Sequence, residues 1–218
     1  MPKFYFLFCL SFFILFLSCE NKNDEFNLQT GDLLFSVGKE ESGLHNAIQS
    51  STGQNTELAF THVGIVSVEN DKTYVLESIP FSGVVKTPLE DYFENSAFID
   101  NKYLIAVGRV KNEFEYIIPN AIKNAEKNLG KKYDFAYDES NDEFYCSELV
   151  RFAYLDSLQN PIFESLSMTF KNSKTNSIDA YWVQHFEKLG KPVPEGEPGT
   201  NPADMSKSPV IEIVYRYY

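Results

Sequence analysis

Cysteine is scarce in this chain of 218 residues: Cys9, Cys19 and Cys146 are the only three. Three thiols cannot build a disulfide framework. Positive charge is short as well, with 19 Lys and Arg against 31 Asp and Glu, a formal net charge of −12. Affinity for a phosphate backbone comes mainly from clustered Lys and Arg, so nucleic acid is not an expected partner. The chain has no basic stripe, no Walker-type phosphate loop and no glycine-rich dinucleotide fingerprint. It also lacks CxxC, HxH and HExxH spacings, so no metal is expected, and nothing calls for a cofactor. No internal repeat is visible. Paired carboxylates for glycoside hydrolysis carry no information among so many acids. Apolar and aromatic residues are plentiful, at 43% and 15%, with 19 Phe and 13 Tyr. That is ample for a sizeable core and argues against global disorder.

Residues 1–18 read MPKFYFLFCLSFFILFLS, with Lys3 as the single charge before an apolar run from Phe4 to Leu17. A run of about 14 residues is short for a membrane span, which needs about 20, and fits a signal-peptide core behind a positive start. The run closes on Phe16-Leu17-Ser18-Cys19 and then turns polar. A small residue followed by Cys at this place resembles a bacterial lipobox, with Phe16 where Leu is usual. The resemblance implies cleavage before Cys19, lipidation of Cys19, and a membrane-anchored lipoprotein of the cell envelope, on the periplasmic side or the cell surface. Residues 19–27 then form the lipidated Cys and a flexible tether, and 28–218 the folded domain. Without residues 1–18 the net charge becomes −13, and Cys146 is the one cysteine left in the folded part. It cannot form an internal disulfide.

Along 28–218, strands are expected at 31–37, 61–68, 73–78, 83–87, 103–110 and 210–215. The turn Asn70-Asp71-Lys72 is short enough to join the second and third as a hairpin. The strands from 61 to 110 are expected to form an antiparallel meander. Ile118, Ile122, Ala125 and Leu129 form a helical stripe, with Pro119 in its first turn and Gly130 at its end. Further helices are expected at 44–49, 146–158 and 182–189, with 171–178 and 191–204 as loops. The class is α+β.

Cys146 opens the helix Cys146-Ser147-Glu148-Leu149-Val150. Free N–H groups and the positive dipole end in a first turn stabilise a thiolate, and can stabilise an oxyanion. The alternative is a small buried hydrophobe. Of the three histidines, His45 falls in an irregular segment, and His185 sits among charged residues, expected at the surface. His62 opens an apolar strand, which is a rigid platform for a base. With the turn centred on Asn70-Asp71, the residue opposite His62 is near position 79. Glu77 is then a diagonal neighbour on the same face, within reach of a long side chain. The alternatives are a satisfied histidine and a solvent-facing acid.

The ordered segments Gly31-Asp32-Leu33-Leu34-Phe35, Thr61-His62-Val63-Gly64-Ile65-Val66, Tyr74-Val75-Leu76-Glu77-Ser78, Gly130-Lys131-Lys132-Tyr133-Asp134 and Tyr145-Cys146-Ser147-Glu148-Leu149-Val150 resemble the YiiX/YebB-like family. This is the circularly permuted branch of the NlpC-type, papain-like cysteine hydrolases. The likeness covers about residues 31–156, and Asn201–Pro209 is similar to the family's closing segment. It implies a papain-like fold, with a helix bearing Cys146 packed on a central antiparallel sheet. It also implies Cys146 as nucleophile, His62 as general base and Glu77 as the acid that orients it. Tyr133 and Tyr145 either line the site and help the oxyanion hole or are packed aromatics. Relatives cleave cell-wall peptides at amide bonds, so a small peptide of the peptidoglycan stem is the leading substrate. An acyltransferase or thioesterase acting on an acyl lipid with the same triad, and a surface lipoprotein that binds without turnover, are the alternatives.

Overall fold

The computed structural model describes residues 26–39, 43–52 and 58–218. The signal segment, Cys9, Cys19, the tether through residue 25 and the side chain of His45 lie outside the described residues.

The chain runs through β1 (Leu33–Ser36), α1 (Gly43–Thr52), β2 (His62–Glu69), β3 (Lys72–Ile79), β4 (Gly83–Pro88) and α2 (Leu89–Glu94). A short ribbon, β5 (Phe98–Ile99) and β6 (Lys102–Tyr103), leads to β7 (Ile105–Val110), and then to α3 (Ile118–Glu126) and α4 (Cys146–Ala153). The last third holds β8 (Leu166–Ser167), α5 (Ala180–Leu189), β9 (Pro198–Gly199), α6 (Pro202–Met205) and β10 (Ile211–Arg216). Six strands form one antiparallel sheet in the order β10-β7-β1-β2-β3-β4. The class is α+β, with helices packed on a central antiparallel sheet.

The β2–β3 hairpin turns where the sequence places it. Asn70 and Asp71 both take positive φ, 49° and 62°. Such a two-residue turn matches the twist of the strands it joins, and Asn and Asp tolerate the left-handed region. The ladder pairs Ile65 with Leu76 and Val66 with Val75. Continued by three steps, this register puts residue 79 opposite His62.

The expected meander is corrected at its last strand. β7 pairs with β1 on one side and β10 on the other, not with β4. Helix α2 and the β5–β6 ribbon carry the chain back across the sheet, so strands adjacent in sequence are separated in space. The helix stripe is also shortened. α3 ends at Glu126, and Leu129 lies beyond it, 42% exposed. α4 ends at Ala153 instead of Leu158. Asp156 Oδ1 accepts from the N–H groups of Leu158 and Asn160, a local turn that competes with continued helix. The loop expected over 191–204 contains β9 and α6.

The two faces of the sheet bury different cores. Leu33, Phe35, Val63, Ile65 and Leu76 pack with Ala121, Ala125, Val150 and Ala153 beneath α3 and α4. Leu34, Val66, Val75, Ile105 and Val107 pack with Tyr92 of α2. Tyr154, directly after α4, donates its hydroxyl to the Gly31 carbonyl at 2.7 Å and is fully buried. Helix α4 is thereby tied to the chain just ahead of β1.

Candidate active site

His62 is the first residue of β2, and Glu77 lies near the end of β3. His62 Nε2 and Glu77 Oε2 are 2.5 Å apart. The diagonal relation read from the turn is the one the structure adopts. Gly64, between them in the ladder, has no room for a side chain. A Cβ there would stand 2.3 Å from Val75 Cγ1 and 3.3 Å from Glu77 Cβ. The glycine keeps the hairpin face open, so the imidazole and the carboxylate can meet across it.

Glu77 is 4% exposed, and its second oxygen accepts from Thr87 Oγ1 at 2.5 Å. Burying a carboxylate is costly unless its oxygens are satisfied, and here each oxygen has a partner. Sequence reading missed Thr87, although the same diagonal rule finds it. Glu77 pairs with Val85 in β3–β4, and Thr87 is two residues on along the same face. Tyr92 was missed too. Its ring packs against His62 with centroids 5.7 Å apart, and its hydroxyl donates to the Leu34 carbonyl at 2.7 Å.

Cys146 is the first residue of α4 and is 6% exposed. Its side chain lies within interaction range of the His62 imidazole. Because Nε2 engages Glu77, Nδ1 is the ring nitrogen left for the sulfur. Burial by itself lowers the His62 pKa. The interaction with Cys146 and the hydrogen bond and charge of Glu77 outweigh it and lift His62 from 6.5 to about 10. At neutral pH the ring is therefore an imidazolium between a carboxylate and a sulfur.

The first turn of α4 has its own support. Glu148 Oε2 accepts from the Tyr145 N–H at 3.1 Å, the return arm of a capping box. Burial, assisted by the charges of Asp134, Glu139 and Asp138 and opposed by the Tyr145 bond, pushes Glu148 up to about 8. Thr200, on the closing segment, donates its N–H to the Tyr145 hydroxyl at 3.1 Å and its hydroxyl to Ser147 Oγ at 3.0 Å. No local pattern in the sequence signals that tie, because 55 and 53 residues separate the partners.

Tyr133 and Tyr145 both line a pocket that opens on Cys146. Tyr145 is 2% exposed and its hydroxyl is engaged by Thr200, so it braces the wall. The Tyr133 hydroxyl interacts with that of Tyr137, and burial pushes its pKa well above the ordinary value. His185, expected at the surface, is half-buried among Tyr181, Trp182 and Phe186, with Nε2 2.7 Å from the Phe135 carbonyl. Aromatic packing on α5 outweighs the charged neighbours that suggested exposure.

Comparison with known proteins gives one consistent answer. The family model described as "Permuted papain-like amidase enzyme, YaeF/YiiX, C92 family" matches residues 27–215. A protein named YiiX from Escherichia coli (strain K12) is 28% identical over 188 residues, which is 85% of this chain and 85% of that one. A crystal structure titled as the metalloprotein yiiX from Escherichia coli O157:H7 superposes with a TM-score of 0.70 at 27% identity, covering 87% of this chain and 98% of that one. Among the described residues, no three His, Cys, Asp or Glu side chains are grouped so as to hold a metal ion. These residues do not fit a metal centre, and no step below runs through one.

Proposed function

We propose a function from one premise: the chain belongs to the permuted papain-like amidase family, and so is a cysteine peptidase or amidase-type hydrolase with a papain-like fold. The proposed reaction is hydrolysis of an amide bond in peptides of the peptidoglycan stem. Cys146 is its nucleophile, His62 its acid and base, and Glu77 the residue that orients and charges His62. The observation that supports this reading is the pairing of His62 with a buried Glu77 that Thr87 also holds, beside Cys146 at the start of α4.

In the proposed cycle the Cys146 thiolate, the nucleophilic form beside an imidazolium, attacks the amide carbon. The developing oxyanion faces the N-terminal turn of α4, whose first N–H groups have no intrahelical acceptor. The C–N bond breaks as the His62 imidazolium gives its proton to the leaving amine. Neutral His62 then takes a proton from water, and the hydroxide equivalent attacks the thioester. The S–C bond breaks, the carboxylic acid leaves, and the thiolate and imidazolium are restored. Lipidation of Cys19, proposed from the signal segment, holds the enzyme at the envelope where stem peptides occur.

Purified protein and Cys146→Ala, incubated with stem peptides and analysed by mass spectrometry for a new amine and carboxylate, test the reading. Cleavage by the wild type and none by the variant is expected. Equal turnover by both overturns the nucleophile, and Cys146-dependent turnover of an acyl lipid instead moves the assignment to the acyltransferase or thioesterase reading. Radiolabelled palmitate incorporated into wild type but not Cys19→Ser supports the anchor, and labelling of both removes it.

A further inference from the structure

Helices α3 and α4 cover one face of the central sheet, and the core on the other face is closed differently. Leu34, Val66, Val75, Ile105 and Val107 are roofed on one side by Leu89, Tyr92 and Phe93 of α2, and elsewhere by Phe26, Leu28, Tyr103, Val214, Tyr215 and Tyr217. Those last six are only half-buried. Six rings of this roof and its margin run in an unbroken line. Phe26 stacks on Tyr215 at 4.6 Å between centroids, Tyr215 meets Tyr217 at 4.9 Å, and Tyr217 meets Phe93 at 4.8 Å. Phe93 meets Tyr103 at 5.0 Å, and Tyr103 meets Phe98 at 4.7 Å. The line starts at the first described residue and ends on the β5–β6 ribbon, where Phe98 and Ile99 are 52% and 56% exposed. One exposed apolar side chain needs no explanation, but an exposed pair that continues a strip of half-buried rings marks an interaction surface.

Three features narrow the partner. Phe26 stands seven positions after Cys19, and seven residues of extended chain span at most about 25 Å. A lipid on Cys19 therefore holds the Phe26 end of the line close to a bilayer surface. Three of the six rings are Tyr, whose apolar body and polar tip suit the level of lipid headgroups. The exposed charges flanking Phe98 and Ile99 on the ribbon are one acid and one base, Asp100 and Lys102, so the attraction is apolar rather than ionic. Lipid anchors are commonly reinforced by a second contact of this kind, because one acyl chain binds only reversibly.

We propose that this strip is a membrane-docking face. Phe98 and Ile99 enter the boundary between headgroups and acyl chains of a lipid bilayer, and the line of rings from Phe26 lies along it. This rests on the lipidation of Cys19 proposed above, and goes beyond it by fixing which face of the protein meets the membrane. Helices α3 and α4 then lie on the side of the sheet turned away from lipid.

The test uses the full chain reconstituted into phosphatidylcholine vesicles whose acyl chains are brominated near the headgroup, where bromine quenches an indole on contact. The wild type carries Trp182 alone, 2% exposed. Phe98→Trp and Ile99→Trp each add an indole at the exposed end of the strip, and Leu158→Trp adds one beyond α4, at a position 78% exposed. Bromine should lower the emission added by Phe98→Trp and by Ile99→Trp at least about twofold, as for a face sunk into the interfacial layer. It should leave the wild type and Leu158→Trp unchanged. Ile99→Trp repeats the reading if Phe98→Trp fails to fold. Added emission that stays unquenched in both variants, or quenching no greater than at Leu158→Trp, overturns the docking face. So does quenching that high salt abolishes, since salt screens ionic but not apolar attraction. An unquenched indole whose emission shifts to the blue as protein concentration rises assigns the strip to a second copy of the chain instead. Palmitate labelling of Cys19 is read separately. Label without quenching sinks the face and keeps the anchor, whereas quenching without label sinks the anchor and keeps the face.

Discussion

Replacing Glu77 by Gln removes one negative charge from the site with little change of volume. Glu77 uses both oxygens, Oε2 on His62 Nε2 and Oε1 on Thr87 Oγ1, each at 2.5 Å. Glutamine has one acceptor oxygen, so either the imidazole or the Thr87 hydroxyl must face an amide NH2. The lift of His62 from 6.5 to about 10 corresponds to roughly 5 kcal/mol at about 1.36 kcal/mol per unit, net of a burial effect that pulls the other way. Cys146 and Glu77 share that work. With Glu77 neutral, only Cys146 opposes burial, and the His62 pKa is expected to fall by at least about one unit, or about 1.4 kcal/mol. The imidazolium adds stability that is fully present below 6.5 and is lost as pH rises through about 10. In Glu77→Gln the upper edge of that window moves toward neutrality. Titration of the 15N-labelled imidazole, assigned against His62→Ala, reads the shift directly. The alkaline limb of kcat/KM on a peptide anilide, whose leaving amine needs the His62 proton, should move with it, and the rate should drop on the order of 10²-fold. A His62 that still titrates near 10 in Glu77→Gln, with an unmoved alkaline limb, refutes the assignment of its charge to Glu77.

Gly64→Ala drives a Cβ to 2.3 Å from Val75 Cγ1. It should cost about 1–3 kcal/mol by urea unfolding and lower turnover with it, as overpacking forces β2 and β3 apart. Glu148→Gln keeps an oxygen for the Tyr145 N–H but removes an acid raised from 4.5 to about 8 by burial. The raised acid contributes stability that is full below 4.5 and lost as pH rises through about 8, so the variant's urea midpoint should decline less over that range than the wild type's. Arg109→Met leaves Asp32, 1% exposed, without the guanidinium that now meets its two oxygens at 2.7 and 2.8 Å. A buried carboxylate stripped of its partner should cost about 3–5 kcal/mol, read from the same unfolding curves.

What could be read from the sequence follows the range of the forces involved. The His62–Glu77 diagonal was legible because a two-residue turn at Asn70-Asp71 fixes the register of everything between its strands. The N-terminal place of Cys146 was legible because an apolar helical face begins there. The pairing of β7 with β1 was not legible, since any two alternating strands make an acceptable antiparallel pair and nothing local ranks them. Thr200 was not legible either. Its hydrogen bonds to Tyr145 and Ser147 exist only after the closing segment has docked. The early end of α4 was within reach, because Asp156 in the loop that follows it is a strong local turn-former.

His62, Glu77 and Thr87 sit on three consecutive strands joined by tight turns, whereas Cys146 arrives more than fifty residues later on a helix. The His62–Glu77–Thr87 part of the candidate site is therefore one short-range module, and Cys146 is a second module delivered by tertiary docking. Chain inserted or deleted between β4 and α4 at exposed positions leaves the spacing within the first module untouched, so that stretch can vary in length among descendants of this protein without resetting the chemistry. The hairpin turns have no such freedom. An added residue that slips the β2–β3 register by one would turn Glu77 to the opposite face of the sheet from His62, so in this fold tolerance to indels follows the partition of the site between its two modules.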